Sequence, residues 1–349
     1  MSIRKRLEST LAGDPVEQPV YLVYDWFVKN RDIDWSHLFD LGLGQMNHVD
    51  VIEFERPHLD IVETEAIVNG QTRKDIRWIT DIGELHEYYL DGWLQEYLIK
   101  SPEDYQIMAY ALSDTTITPT DTYYDQSEAE LGENGITVAH LGWTPYECRR
   151  TALQEIQIDY AGLERFSIDI LQEQPELLEL IELLNDQIVE AFKQILKTKA
   201  QHIKLWENVS IETMGPKIFR KYHMPIYRRI FEVLDGSDKK LQVHYDGKLR
   251  VIADDIHYMP LDGIDSLTGP PEGDITAADA RSAWPDKFFW LHPNLGWFSL
   301  PENELVAKIK RVVEDAGPTR FCLMISEEVP PNWEISVPIV LHTLKNMNS

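Results

Sequence analysis

Short apolar runs alternate with amphipathic segments along the second half of the chain, and this alternation limits the folds open to it. The runs are 202–206, 241–244, 264–267, 288–292 and 321–325, each long enough for a strand and too short for an ordinary helix. A helical pattern follows each run, so strand–helix units recur roughly every 30 residues. Such a repeat predicts a parallel sheet with right-handed crossovers.

Three earlier runs, 20–24, 46–52 and 136–141, bring the expected number of strands close to eight. Eight parallel strands with intervening helices favour a closed (β/α)8 TIM barrel over an open sheet. The segment 175–200 carries its apolar residues on one stripe and is predicted to be a helix packed against the core. Residues 1–349 are therefore expected to form a single α/β barrel domain.

One segment near the N-terminus departs from this repeat. Two alternating runs, 61–68 and 71–78, flank Asn69-Gly70, a dipeptide typical of two-residue hairpin turns. We therefore expect an antiparallel hairpin insertion at about 58–80, lying over the mouth of the barrel.

The charge and composition of the chain argue against several classes of protein. Acidic residues number 59 against 33 lysines and arginines, a net charge of −26 that disfavours nucleic-acid binding. No run approaches the ~20 apolar residues of a membrane helix. Residues 1–7 are basic and lack the apolar run of a signal peptide. With only two cysteines, Cys148 and Cys322, a reduced cytoplasmic location without membrane association is expected.

Polar side chains stand at the carboxyl ends of several predicted strands, where a barrel of this kind places its chemistry. His244 and Asp246 are one residue apart and point the same way if the chain is extended. Together they could bind one metal ion or one substrate group, or they could form only a polar turn. Glu327 and Glu328 follow the last strand, where they could give a ligand and an acid–base group or only a solvated loop.

Further residues at the mouth are candidates for binding substrate. They are Glu207, Asn208, Asp274, His292, Tyr24 and Trp26. Tyr24 and Trp26 could enclose a methylated, apolar or cationic substrate, or pack in the core. For Glu207 and Asn208 the alternative role is a helix or turn cap, and for Asp274 it is loop stiffening, with the nearby Thr276 as the helix cap. For His292 it is a structural histidine.

Residues from about 142 to 331 resemble the uroporphyrinogen decarboxylase superfamily, which includes the cobalamin-dependent methyltransferases. The segments that carry the resemblance are Phe219-Arg220-Lys221-Tyr222-His223-Met224-Pro225, His244-Tyr245-Asp246-Gly247, Gly263-Ile264-Asp265, Pro270-Pro271-Glu272-Gly273-Asp274 and Ser326-Glu327-Glu328-Val329-Pro330. The resemblance implies a (β/α)8 barrel and, since related barrels are often dimers, a homodimer.

Two departures from the family pattern bear on the activity. The stretch 18–27, where the decarboxylases carry an arginine-rich substrate grip, has no arginine, although a porphyrinogen needs cationic clamps. The methyltransferase branch has His-x-Cys and a later cysteine where this chain has Asp246 and the run 326–328. The resemblance thus implies nitrogen and oxygen donors, which suit zinc or another divalent metal, or no metal.

The leading hypothesis is methyl transfer on a small methylated substrate. The methyl group would pass to or from a cobalamin carried by a corrinoid partner protein. By resemblance, His244, Asp246 and Glu327 would be catalytic and would hold the metal. The second hypothesis is decarboxylation of uroporphyrinogen or a smaller acid, with Arg73, Arg149 and Arg150 as candidate clamps. The third is a non-catalytic barrel that binds a ligand or a corrinoid protein.

Overall fold

Eight parallel strands close into a barrel in the structure, a computed structural model that describes residues 1–144 and 146–347. The strands are β1 (Tyr21–Tyr24), β2 (Gly44–Asp50), β3 (Ile52–Glu55), β4 (Asp60–Val68), β5 (Gln71–Thr80), β6 (Gly83–Leu90), β7 (Trp93–Glu96), β8 (Thr116–Pro119), β9 (Gly135–His140), β10 (His202–Leu205), β11 (Lys240–His244), β12 (Gly263–Thr268), β13 (Phe288–His292) and β14 (Phe321–Met324). The barrel order is β1-β14-β13-β12-β11-β10-β9-β2. The predicted (β/α)8 barrel is confirmed.

Helices surround the barrel and connect its strands. They are α1 (Ile3–Ala12), α2 (Asp25–Asn30), α3 (Ser36–Asp40), α4 (Pro102–Ala111), α5 (Thr122–Leu131), α6 (Ala152–Glu155), α7 (Gly162–Leu171), α8 (Pro175–Ile195), α9 (Ile211–Met214), α10 (Pro216–Ile218), α11 (Met224–Leu234), α12 (Ala253–Tyr258), α13 (Ala277–Ala283), α14 (Glu302–Ala316) and α15 (Trp333–Lys345). Within the described residues, no helix is long and apolar enough to cross a membrane.

The longest of these helices, α8, shows why the sequence pattern was informative. Its apolar stripe is buried along its whole length, from Leu177 through Leu184 to Ile195. Pro175 occupies the first turn, where its missing N–H costs no hydrogen bond. The helix ends at Ile195 rather than at residue 200, because the Thr198 hydroxyl donates to the Ile195 carbonyl in a closing turn.

The chain leaves the barrel after β2 and forms an antiparallel sheet of four strands, β4-β5-β6-β7. The predicted hairpin is its first half: Asn69 and Gly70 have φ of 53° and 82°, as a turn between twisted strands requires. Trp78 on β5 is buried, with its ring 5.9 Å from that of Tyr160. This contact seats the sheet against the segment that follows β9.

Candidate active site

The carboxylate of Asp265 lies at the centre of a buried polar network inside the barrel. Its Oδ2 is 2.8 Å from Lys204 Nζ, on β10, and 2.8 Å from His244 Nδ1, on β11. The Tyr24 hydroxyl, at the end of β1, lies 3.0 Å from both carboxylate oxygens. Because the carboxyl ends of parallel strands meet at one mouth, side chains from β1, β10 and β11 reach a single group on β12.

Mutual attraction keeps this network charged despite its burial. Burial alone would raise the pKa of Asp265, but Lys204 and His244 outweigh it and hold that pKa well below its usual range. Burial also disfavours the charged form of His244, yet the hydrogen bond and charge of Asp265 prevail and raise its pKa. For Lys204, burial prevails over the attraction of Asp265 and lowers the pKa. His244 therefore holds a proton more readily than a free imidazole does.

The backbone of β12 is irregular beside Asp265. Its pairing with β13 shifts register between Ile264 and Leu267, and Ser266 has a φ of 62°. A bulge of this kind re-aims the side chains around it. Here Asp265 reaches into the barrel while the Ser266 hydroxyl contacts the carboxylate of Glu327. Positive φ at a non-glycine residue costs about 1–3 kcal/mol and often marks a functional site.

A second branch of the network joins three of the predicted site residues. His292, at the end of β13, lies between Tyr24 and Glu327: its Nε2 is 2.9 Å from the Tyr24 hydroxyl and its Nδ1 is 2.8 Å from Glu327 Oε1. Burial opposes ionisation of Glu327, but His292 and His244 outweigh it and lower the pKa of that carboxyl. His292, Tyr24 and Glu327 therefore lie in one network with Asp265, as neighbouring strand ends allow.

The predicted metal ligands do not form a three-ligand group. His244 Nε2 lies 3.9 Å from Asp246 Oδ2, but Glu327 is engaged with His292 and Ser266 instead. In the part of the chain that the structure describes, no three His, Cys, Asp or Glu side chains are placed to hold a metal ion. In these positions the donor set does not fit zinc or another divalent metal, so we derive no catalytic step from one.

Aromatic rings cover the network on the side of the barrel mouth. Trp26 stacks on Tyr24 with ring centroids 4.1 Å apart. Trp206 lies over Lys204, with Nζ 4.2 Å from the ring centroid, and contributes a cation–π contact. Trp143 packs against both tryptophans at 5.9 and 5.3 Å and is partly exposed. We call Trp26, Trp143 and Trp206 the tryptophan roof. It would shield a bound substrate from water.

A histidine pair lies beneath the roof. His48, at the mouth end of β2, contacts Trp26 and Trp206, and its Nδ1 is 3.1 Å from Asp25 Oδ1. Burial, reinforced by Lys204, lowers the pKa of His48 to about 4, so the imidazole is neutral at pH 7. Burial opposes ionisation of Asp25, but His48 and Lys29 lower its pKa to about 2. A second buried imidazole, His140, lies 6.3 Å from His48, ring to ring.

Glu207 belongs to a different cluster from the other predicted site residues. Its carboxylate accepts hydrogen bonds from the Thr151 backbone and hydroxyl at 3.1 Å and from Tyr227 at 2.9 Å. Burial raises its pKa to about 7. Successive side chains of a strand point to opposite faces, so Lys204 and Trp206 face the barrel while Glu207 faces the helices. A substrate contact by Glu207 remains a prediction.

Asn208 and Asp274 are not connected to the network by any described contact. Asn208 is exposed. The Asp274 carboxylate accepts from the backbone N–H groups of Leu249 and Arg250, and so braces the loop after β11. The predicted cap is confirmed: the Thr276 side chain caps helix α13 by accepting from the Asp279 N–H.

Several members of the site were not predicted from the sequence: Lys204, Asp265, His48, His140, Trp143 and Trp206. For Lys204 and Asp265 a signal was present. The available signal was a charged residue inside a short apolar strand, as in His202-Ile203-Lys204-Leu205 and Gly263-Ile264-Asp265. A charge enclosed by apolar neighbours on a barrel strand is costly unless it is paired, so it indicates a partner across the barrel.

Comparison with known proteins supports the family. A family model described as uroporphyrinogen decarboxylase matches residues 160–285. This span contains Lys204, His244 and Asp265, whereas Tyr24 and Glu327 lie outside it. No curated protein matches the chain.

Three solved structures are similar at low identity. A putative vitamin-B12 independent methionine synthase from Listeria monocytogenes is 13% identical, with 66% of this chain and 70% of that chain covered and a TM-score of 0.41. A B12-independent methionine synthase from Shewanella sp. W3-18-1, in complex with selenomethionine, is 8% identical, with coverages of 98% and 85% and a TM-score of 0.44. MenC from Desulfotalea psychrophila LSv54 is 12% identical, with coverages of 84% and 90% and a TM-score of 0.28.

Identities and TM-scores this low carry no information about the activity of this chain. The resemblance seen in the sequence is confirmed by the family match over residues 160–285 and is consistent with the closed barrel.

Proposed function

We propose that the chain is an enzyme that transfers a methyl group from a small, neutral methylated substrate, with His244 as the proton donor. One observation carries the proposal: His244 is held by Asp265 through Nδ1, at 2.8 Å, while its Nε2 lies near the partly exposed carboxylate of Asp246. An imidazole held at one nitrogen by a buried carboxylate has a defined tautomer and a stabilised charged form.

The charge of the site favours a neutral substrate over a polyanionic one. Carboxyl groups outnumber the cationic groups there: Asp25, Asp246, Asp265 and Glu327 against Lys204 and His244. Lys204 is also fully buried and occupied by Asp265. Trp26, Trp143 and Trp206 would offer apolar ring faces to a methylated group at the barrel mouth.

The positions of Asp265 and Asp246 on either side of His244 suggest a route for the proton in the reaction. In the proposed reaction the bond between the methyl carbon and the heteroatom breaks, and its electron pair stays on the heteroatom. His244 donates its Nε2 proton to that atom, while Asp265 stabilises the imidazolium beforehand. Asp246 stands 3.9 Å from Nε2, in position to relay a replacement proton from solvent. A cobalamin carried by a partner protein would supply the methyl acceptor; this partner and the homodimer remain predictions, as does the cytoplasmic location.

Decarboxylation is the second candidate, favoured by the description of the family model that matches. The arginines suggested as substrate clamps do not support it. Arg149 and Arg150 both pair with Asp159, and Arg73 pairs with Asp75 at 2.6 Å. An arginine already bonded to a carboxylate is a poor clamp for another.

The test is an assay of small methyl ethers and thioethers with reduced cobalamin as acceptor, followed by detection of the demethylated product and of methylcobalamin. We expect His244→Gln to lower turnover by about 10²–10⁴-fold, the range of a lost general acid. The matched control is His202→Gln, at the opposite end of the barrel on β10. Metal content is measured on the same preparations.

Equal loss in both variants, or unchanged turnover in His244→Gln, would contradict the assigned role. Conversion of uroporphyrinogen to coproporphyrinogen by the same protein, without methyl transfer, would replace the proposal with decarboxylation. About one tightly bound metal per chain, lost in His244→Ala, would show that the ligand side chains rearrange around an ion.

A further inference from the structure

A cavity of about 390 Å³ lies between the four-stranded sheet and the segment that follows β9. Its sheet side is formed by residues of β4, β5 and β6, and its other side by Thr144 and Tyr146. None of the residues of the Asp265 network lines it. The cavity is therefore a separate feature from the candidate active site.

One wall of the cavity carries a buried carboxyl group with an unused oxygen. Glu87, on β6, is 2% exposed and lines the cavity. Its Oε2 has no hydrogen-bond partner among residues 1–144 and 146–347. Burial raises the pKa of Glu87 to about 7, and the nearby Asp159 adds to the effect. A buried acceptor without a donor is costly and uncommon, so a ligand that supplies a donor would bind favourably there.

The rest of the lining favours a cation as that donor. Glu63 and Glu65 stand on the same wall as Glu87, and the lysine of the lining, Lys74, is already paired with Glu63 at 2.9 Å. The outlying Arg149 is engaged with Asp159. The lining therefore has an excess of acidic side chains, and an incoming cation meets Glu65 and Glu87, which form no ion pair within the described part of the chain.

Aromatic side chains complete the enclosure. Trp78, Tyr89 and Tyr146 line the cavity together with Glu87. Aromatic faces attract ammonium and guanidinium groups, and they also cover the apolar part of a small molecule. A buried carboxyl group together with aromatic side chains suits an organic cation better than a hydrated metal ion.

We propose that this cavity is a binding site for a small organic cation, whose ammonium or guanidinium group is held by Glu87 and whose carbon chain lies against Trp78 and Tyr146. The proposal does not depend on the methyl-transfer reaction, because the site shares no residue with the Asp265 network.

The test is equilibrium binding to the full chain, followed by calorimetry and by tryptophan fluorescence. The probes are choline, butylammonium and butylguanidinium; their neutral counterparts are 3,3-dimethylbutan-1-ol and butan-1-ol. We expect saturable binding of at least one cation and none of its neutral counterpart. Loss of a charge-assisted hydrogen bond is expected to weaken binding by about tenfold or more in Glu87→Gln.

Two further variants control this experiment. Glu84→Gln removes an exposed carboxylate from the same strand, outside the cavity, and is expected to bind as the wild type does. Thr72→Trp fills the cavity from β5 without touching the charge of Glu87, and is expected to abolish binding. Absence of binding by all three cations, or equal affinity in Glu87→Gln and wild type, would overturn the proposal whatever the catalytic assays show.

Discussion

Lys204 and Asp265 form an ion pair with no exposed side-chain surface on either partner. Taking both charges out of water is costly, and their mutual attraction must offset that cost. The cost is reduced further because His244 and Tyr24 also bond the carboxylate, while Tyr24 and Trp206 present ring faces to the ammonium group. The pair is thus stable only as part of the whole network.

Removing one member of this pair leaves a buried charge unpaired. We expect Lys204→Met to lower the free energy of unfolding by about 3–5 kcal/mol and to abolish turnover. Urea unfolding followed by circular dichroism measures the first effect. The exposed Lys240→Met, at the start of β11, serves as the matched control and should change stability by less than about 0.5 kcal/mol.

The double variant Lys204→Met with Asp265→Asn separates pairing from packing. It removes both charges, so part of the lost stability should return. If the double variant loses more free energy of unfolding than the two single variants lose together, the interpretation of Asp265 as an anion stabilised by Lys204 is wrong.

The strand β10 illustrates how one element serves two polar clusters. Lys204 faces the Asp265 network, and Glu207, just beyond the strand, faces Thr151 and Tyr227 on the helical side. The alternation of side chains along an extended chain is the cause, since a shift of one residue reverses the face. Glu207 is therefore a buried acid between the barrel strands and the surrounding helices, and burial raises its pKa to about 7.

This raised pKa has a predictable effect on stability. The folded chain binds the Glu207 proton more tightly than the unfolded chain, so the stabilisation is complete below the unfolded pKa and is lost as pH rises toward about 7. In wild type the Glu207 contribution to the slope reaches at most about 1.4 kcal/mol per pH unit. Glu207→Gln should remove that contribution.

Denaturant midpoints measured from pH 4.5 to 8 check the slope. The difference between variant and wild type isolates Glu207 from other buried groups, such as His48, whose lowered pKa acts in the opposite direction. Glu130→Gln, exposed on α5, is the control. A pH dependence identical in Glu207→Gln and wild type would contradict the assignment.

The net charge of −26 acts on the molecule as a whole. Acidic side chains repel one another more strongly in the folded chain than in the expanded unfolded one. Exposed charges are screened by salt, whereas the buried Lys204–Asp265 pair is screened much less. Salt should therefore relieve the repulsion and leave the central network intact.

We expect the melting temperature to rise when NaCl is increased from about 0.02 M to about 0.2 M at pH 7, since the screening length falls from about 20 Å to about 7 Å over this range. Differential scanning calorimetry measures the rise. An unchanged or lower melting temperature would show that attractive surface pairs, such as Arg4–Glu128, outweigh the repulsion.

Much of the fold could be predicted because it depends on local patterns. Each strand-length apolar run predicts a strand, the apolar stripe of 175–200 predicts a helix, and Asn69-Gly70 predicts a turn. The right-handedness of crossovers between parallel strands then leaves few topologies. The third and fourth strands of the inserted sheet, β6 and β7, were missed although Asp91-Gly92, with φ of 47° and 83°, is a hairpin signal of the same kind as Asn69-Gly70. Most of their side chains are only partly buried, which leaves a weak apolar alternation.

The candidate site could be predicted only where a residue stands at a strand end. His244, His292, Tyr24 and Glu327 were identified in this way, and the structure brings them together around Asp265. Asp265 and Lys204 lie within strands buried on both faces, where no alternation of apolar and polar residues reveals which side faces the barrel.

By itself the sequence determined the strand–helix repeat, the eight-stranded barrel, the acidic surface and the strand ends at which polar groups gather. Only the tertiary structure decided that Lys204 and His244 share one carboxylate, that Glu207 belongs to another cluster, and that Glu87 faces a cavity. Local patterns depend on neighbours along the chain, whereas the partner of a buried charge is set by barrel closure and strand register, which bring distant residues within about 3 Å.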